Sequence, residues 1–276
     1  MNDEFIKYGK ILALDDFSDI RIYSQNDFFV FEKIDGGNCQ VRKINGSLVA
    51  GSRANFLRGK KLNRFEWFKK LNGWMHSNKS LYNLSEDVVL FGEWAGNHTI
   101  DYNQDSSNKF YLIDLFDINS RTFFDYDSAF DYSKEIQLLD VNILNVLHQG
   151  VVDKKILEEL LNEKSSYYDG PKEGLVLKDY EKNIFLKIYH EDFVEKRKGL
   201  DGRMDYLPRA RFNKAFFRLL DEREDGVKQE DLINAVYQDV LQEEKAKCSI
   251  QKVKQRFEKY YNRGDLPKVR EHFGRH

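Results

Sequence analysis

The sequence predicts an α+β protein, with a strand-rich body over residues 1–195 and an all-helical module over 196–276. Three observations carry this reading. Alternating, β-rich runs return several times before His190, with turn residues between them. Stretches of helical spacing interrupt them. After Glu195 the apolar residues recur three and four apart in FNKAFFRLLDE, QEDLINAVYQDVLQEE and SIQKVKQRFEKYY, and no alternating run comes back.

In chain order, FFVFEKI alternates and is followed by Gly36-Gly37, a turn signal, and then by NCQVRKI. Asn45-Gly46 separates that run from SLVAGSR, a strong hairpin cue because both residues tolerate positive φ. Residues 62–84 read as helix, with Trp67, Leu71 and Trp74 at helical spacing. Strands return at VVLFGEWAG (88–96) and FYLIDLFDI (110–118). Residues 133–165, with ILNVLHQ and KKILEELLNEK, carry a helical pattern. EGLVLKDY (173–180) and NIFLKIYH (183–190) are strands again. Pro208 precedes the first C-terminal helical run and Gly226 separates the first from the second, where chain breakers belong.

Composition narrows the function classes. Two cysteines, Cys39 and Cys248, cannot build a disulfide framework or a zinc site of CxxC spacing. MNDEFIKYGK has no secretory core, and no apolar run approaches the roughly 20 residues that cross a bilayer. The expected setting is soluble and intracellular, with no membrane partner. The net charge of −2 says little, but its distribution says more. Lys245 to Arg275 holds 10 basic and 3 acidic residues, a modest pointer to a polyanion that a solvated helix face would also explain.

The chemistry-bearing residues come in a fixed order. Glu32-Lys33-Ile34-Asp35-Gly36-Gly37-Asn38 sets a lysine at a strand end ahead of a glycine turn. Arg53 lies 20 residues beyond that lysine. Glu93 ends a strand in LFGEWAG, and Asp114 sits in the next apolar strand. Glu173 opens EGLVLK, Lys178 closes it, and Lys187 lies in IFLKIY. Taken singly, each has a bland explanation as a surface charge at a strand end. Asp114 needs a partner in an apolar strand, since an unpaired buried carboxylate is costly, and Arg53 or Lys33 is the partner the sequence offers. His98, His190 and Cys39 read as structural.

Together the set resembles the covalent nucleotidyltransferase superfamily of DNA ligases, RNA ligases and mRNA-capping enzymes, matching five of its motifs between residues 32 and 187. Asn38 replaces the Arg usual in DNA ligases and capping enzymes. EKIDGGN is similar to the RNA ligase 2 group instead, as are the offset of Arg53 and the helical segment where an OB-fold would otherwise continue. The resemblance implies antiparallel sheets around an ATP cleft. It implies Lys33 as the nucleophile that carries AMP. Glu32, Asn38, Arg53, Glu93, Asp114, Lys178 and Lys187 would bind nucleotide, and Asp35, Glu93 and Glu173 would hold Mg²⁺ or Mn²⁺ through water. The substrates would be ATP and RNA with 5′-phosphate and 3′-hydroxyl ends. Arg53, Lys252, Lys254 and Arg256 are the expected RNA contacts.

The residue types suit the chemistry. Phosphoryl transfer is mostly positioning and charge neutralisation, so it needs cations on the phosphates and carboxylates on a metal. An attacking lysine must be neutral, which neighbouring charges can arrange. Two positions depart from the group's pattern: Ile113 stands where an aromatic usually precedes the motif IIIa aspartate, leaving Tyr111 as a candidate for stacking, and Tyr189 replaces a second motif V lysine, for which Lys178 and Lys182 are the candidate substitutes. A DNA ligase, a GTP-using capping-type guanylyltransferase and a catalytically silent binding module remain as other readings. Asn38 and the missing OB-fold count against the first two, the intact lysine and carboxylates against the third.

Overall fold

The computed structural model describes residues 4–9, 11–14, 17–63, 65–96, 100–138, 141–195, 207, 211, 212, 215, 216, 218, 219, 227–243 and 248–262. The chain divides into two compact units, residues 1–9 with 16–190, and residues 10–15 with 191–276. Pro208, Gly226 and His98 lie outside the described residues.

The first unit carries two sheets. One contains β2 (Asp27–Glu32), β9 (Val146–Val151), β10 (Gly174–Asp179) and β11 (Ile184–Tyr189) in the order β11-β10-β2-β9, all antiparallel neighbours. The other contains β3 (Gly37–Ile44), β4 (Ser47–Ser52), β5 (Val88–Ala95), β6 (Lys109–Asp117) and β7 (Thr122–Phe123) in the order β4-β3-β5-β6-β7, with β8 (Asn142–Ile143) parallel to β6. The short β1 (Leu12–Ala13) belongs to the second unit.

Alternation explains the second sheet's core. Cys39, Val41, Leu90, Trp94, Phe110 and Leu112 point to one face, where Phe68, Leu71 and Met75 of α1 (Glu66–Ser77) cover them. Trp74 of the same helix stacks on Phe110 at 4.8 Å and 10°. Each such side chain contributes roughly 1.5–3 kcal/mol on burial. The Asn45-Gly46 hairpin forms as its sequence dictates: both residues have positive φ (50° and 75°), and Ile44 pairs with Ser47.

The stretch 133–165 differs from the expectation of helix. α2 (Tyr126–Glu135) begins before it, capped by the Asp125 side chain on the Ser128 N–H. ILNVLHQ then forms β8 and the start of β9, and only α3 (Lys154–Asn162) is helical, capped by Asp153 on Ile156 N–H. A short apolar run does not distinguish helix from strand by period, and here pairing with β2 decides.

In the second unit α4 spans Glu191–Glu195, α5 Gln229–Glu243 and α6 Ile250–Asn262. Phe212, Phe216, Leu232, Val236, Val253 and Phe257 bury together as its core. Nη1 of Arg218 reaches both oxygens of Asp239, each at 3.0 Å, a charge-assisted contact. Among the described residues no helix is long and apolar enough to cross a membrane.

Candidate active site

Lys33 follows β2 directly, and its N–H donates to the Gly174 carbonyl at 2.9 Å. That bond extends the β2–β10 pairing and brings Lys33 beside Glu173, 140 residues away. The Lys33 Nζ meets Glu173 Oε2 at 2.7 Å, with the two side chains 20% and 13% exposed. The Tyr189 ring lies 5.6 Å from the Nζ of Lys33 and 5.6 Å from that of Lys187. Register explains the grouping, since Gly174 faces Tyr189 and Val176 faces Lys187, so these side chains leave one face of the sheet. Burial pulls the Lys33 ammonium down, but Glu173, then Tyr189 and Glu93, outweigh it and hold the group above the ordinary lysine value.

The glycines after Lys33 do not make a hairpin. Residues 34–36 carry the chain from one sheet to the other, since β2 pairs with β10 while β3 pairs with β5. A Cβ on Gly36 would stand 2.3 Å from the Trp94 carbonyl oxygen, and one on Gly37 would stand 2.9 Å from the Trp67 ring. The crossing is tight enough that only glycine fits. Asp35 pins it from within: its carboxylate accepts the Ile100 N–H at 2.8 Å, and its own N–H donates to the Tyr102 hydroxyl at 2.7 Å.

On the second sheet Asn38 faces Glu93, and Glu93 faces Tyr111, so the three stand in one row across β3, β5 and β6. Glu93 lies close enough to Lys33 to raise its proton affinity. Arg53 is half-buried in the bend after β4, one residue past the Ser52–Cys39 pair. Glu32 is buried, and both its oxygens are engaged: one by the Ser165 hydroxyl, the other by the Ser166 N–H at 3.0 Å. In the free chain Glu32 therefore anchors the loop after α3. Burial raises its carboxyl above the usual range against these hydrogen bonds. The same loop sets Tyr167 edge-on to Tyr111 at 5.0 Å.

Two of the expected nucleotide contacts lie in the interior. Asp114 and Lys178 are buried against each other, with Lys178 Nζ 2.8 Å from Asp114 Oδ2 and 2.8 Å from the Ile113 carbonyl. Tyr8 and Tyr180 hydroxyls complete the carboxylate, Tyr180 at 2.9 Å. The side chains are 1% and 0% exposed, so neither presents a group to a ligand. They tie β10 of one sheet to β6 of the other. Asp114 does need a partner, but the partner is Lys178 and not Arg53 or Lys33. Lys182 does not substitute for the missing motif V lysine either: it bonds the Gln25 carbonyl at 3.2 Å, beyond the opposite end of β2 from Lys33.

Among the described residues no group of three or more His, Cys, Asp or Glu side chains is arranged to hold a metal ion. Asp35 is committed to Ile100 and Glu173 to Lys33, so a cation contacting them through water fits this set better than a direct cage. On α6 the expected RNA contacts are not one stripe. Lys252 and Arg256 stand four residues apart on one face, while Lys254 points the opposite way. Sequence reasoning missed Tyr8, Tyr102, Ser165, Ser166 and Tyr167. Tyr180, also missed, is the one of these that carried a signal, its two-residue offset from Lys178 along the chain.

Residues 26–192, more than half of the chain, match the family model for RNA ligase. The chain belongs to the RNA ligase family. In this RNA ligase chain the matched span holds every expected site residue outside α6. Solved structures of Naegleria gruberi RNA ligase share its fold: an apo mutant with a TM-score of 0.55 and 19% identity, and a mutant with AMP and Mn with a TM-score of 0.54 and 19% identity. A further mutant of that ligase, with ATP and Mn, matches with a TM-score of 0.53 and 18% identity. Each of the three alignments covers 71% of this chain and 59% of the Naegleria chain, so the match spans less than two thirds of that ligase. No curated protein matches the sequence.

Proposed function

We propose that this chain is an ATP-dependent RNA ligase of the RNA ligase 2 group, acting in RNA repair, with residues 1–195 as nucleotidyltransferase domain and 196–276 as helical C-terminal domain. The observation that carries the proposal is the Lys33–Glu173 pair at a turn only glycine can build, within a chain of the RNA ligase family. The ATP, AMP and Mn of the Naegleria structures support ATP and a divalent metal as co-substrate and cofactor.

The Lys33 Nζ attacks the α-phosphorus of ATP. An N–P bond forms, the bond to the bridging oxygen breaks, and pyrophosphate leaves. The 5′-phosphate of an RNA then takes the AMP, releasing Lys33, and finally the 3′-hydroxyl of a second end displaces AMP to form the phosphodiester. Splitting one difficult displacement into successive transfers from an activated carrier is the gain of covalent catalysis. Glu173, at 2.7 Å, is the group in reach of the proton Lys33 must lose before attack. Lys187, set by Tyr189, faces the α-phosphate, and Asn38 and Arg53 face the phosphate or the RNA end. Glu93 and Glu173 would hold the divalent cation, which supplies neutralisation of phosphate charge.

The test is intact mass of the purified protein before and after ATP and Mg²⁺, beside Lys33→Ala. The expected result is a gain of one AMP in the wild type and none in a folded variant. A Lys33→Ala protein that still gains AMP overturns the nucleophile. Gain from GTP in place of ATP would point to a capping-type enzyme, and sealing of DNA but not RNA ends to a DNA ligase.

A further inference from the structure

We propose that the segment running from Arg53 to Trp67, with Arg58 and Lys60 at its exposed crest, is where the phosphate backbone of the RNA docks. The inference rests on the RNA ligase reading above and names a surface for its substrate.

Three observations carry it. The first is charge. From Ser47 to Phe65 the sequence holds five basic residues, Arg53, Arg58, Lys60, Lys61 and Arg64, and no acidic one. Arg64 lies outside the described residues. Arg58 and Lys60 are exposed, and no carboxylate of the described residues pairs with either. Lys69 and Lys70, just beyond, are by contrast engaged, with Glu66 at 3.3 Å and with Asn108 at 3.0 Å.

The second is placement. Both ends of the segment are held beside the turn that carries Lys33. At its start, Ser52 pairs with Cys39, the neighbour of Asn38. At its end, Trp67 packs against Gly37. The two ends of the segment thus lie next to residues 37–39, the stretch that follows Lys33 by a few positions.

The third is order. Phe56 bridges to Gly51 of β4 and packs edge-on to Phe5 at 5.0 Å, while the Arg58 guanidinium lies over the Phe56 ring, 5.0 Å from its centroid. A guanidinium held on an aromatic ring keeps its donors for phosphate and loses less freedom on binding. Leu57, buried, and its N–H bond to the Ala50 carbonyl at 2.8 Å fix the backbone between them. The Gly59–Asn63 turn of 3-10 helix then lifts Lys60 outward from a glycine at φ +56°. The basic helix α6 lacks this convergence, because Lys252 and Lys254 diverge around it.

The test compares the full-length wild type with Arg58→Gln/Lys60→Gln. Binding of a labelled 5′-phosphorylated RNA is measured across a salt series, and AMP uptake from ATP is measured in parallel. AMP uptake should be unchanged. RNA affinity should fall by about tenfold near physiological salt, and the salt dependence should become shallower by roughly 1.5 in log–log slope, the loss of two phosphate contacts. Arg58→Lys/Lys60→Arg should restore both. Unchanged affinity and slope would overturn the proposal, as would a parallel loss of AMP uptake, which would place these residues in the nucleotide site or the fold. A wild type that takes up AMP but binds no RNA would instead overturn the RNA substrate, and this surface with it.

Discussion

Two lysine–carboxylate pairs lie in the same unit, one at the adjoining ends of β2 and β10 and the other between β10 and β6, and they behave oppositely. Lys33–Glu173, at 2.7 Å, is partly open to solvent. Lys178–Asp114, at 2.8 Å, is sealed, with two tyrosine hydroxyls and a carbonyl filling the remaining valences. The open ammonium is held above its ordinary value despite burial, by Glu173 and more distant anions. The sealed one is pulled below it, because burial outweighs the attraction of Asp114. Distance alone therefore does not tell a reactive pair from a structural one. What separates them is whether hydrogen-bond capacity is left over and whether a ligand can reach it.

The largest expected effect comes from breaking the sealed pair. Asp114→Ala leaves an uncompensated buried ammonium and should cost about 3–5 kcal/mol of stability, read by urea or thermal unfolding. Replacing both partners, Asp114→Leu with Lys178→Met, should recover most of that loss. A double variant as unstable as the single one would mean that the pair itself, and not the orphaned charge, sustains the fold.

A smaller effect sharpens the open pair. Because Lys33 is held above its ordinary value, its amine is protonated near neutral pH, and AMP uptake should rise as pH rises. Glu173→Gln removes the leading upward pull and leaves burial, which acts downward. The rising limb of the rate against pH should then move to lower pH, whatever happens to its plateau. A limb that stays in place or moves up would show that Glu173 does not set the protonation of Lys33.

The smallest effect tests the completeness of the sealed network. Tyr8→Phe removes one hydroxyl donated to Asp114 and should cost about 1.5 kcal/mol, with AMP uptake retained. A loss as large as that of Asp114→Ala would mean that Tyr8 does more than satisfy a carboxylate, by holding residues 4–9 against β3. That segment also accepts from Gln40 at 2.8 Å and from Arg42 at 2.7 Å through its carbonyls.

Much of the strand framework was legible in the chain because alternation and turn residues are local. FFVFE, the Asn45-Gly46 hairpin and KKILEELLN appear where their patterns put them. ILNVLHQ was misread as helix because its period is ambiguous over so few residues, and only the edge of β2 resolved it. Among the expected site residues the structure brings Lys33 and Glu173 into contact, with Glu93 near enough to act on the lysine. Asp114 and Lys178 were read as ligands because motif position says nothing about burial. Glu32, expected among the nucleotide contacts, has its carboxylate engaged by Ser165 and Ser166. The acid-free run from Ser47 to Phe65 was also in plain view, but charge counted over long stretches averaged it away.

By itself the sequence determined the order of the candidate site residues and the strands that present them, since each depends on neighbours a few positions away. The tertiary structure alone decided which of two lysines is partly open to solvent. That choice depends on the register of β10 against β2 and β11, and on a tyrosine 106 residues from the aspartate it seals. Exclusion of water is a property of packed surfaces, and no stretch of chain carries it alone.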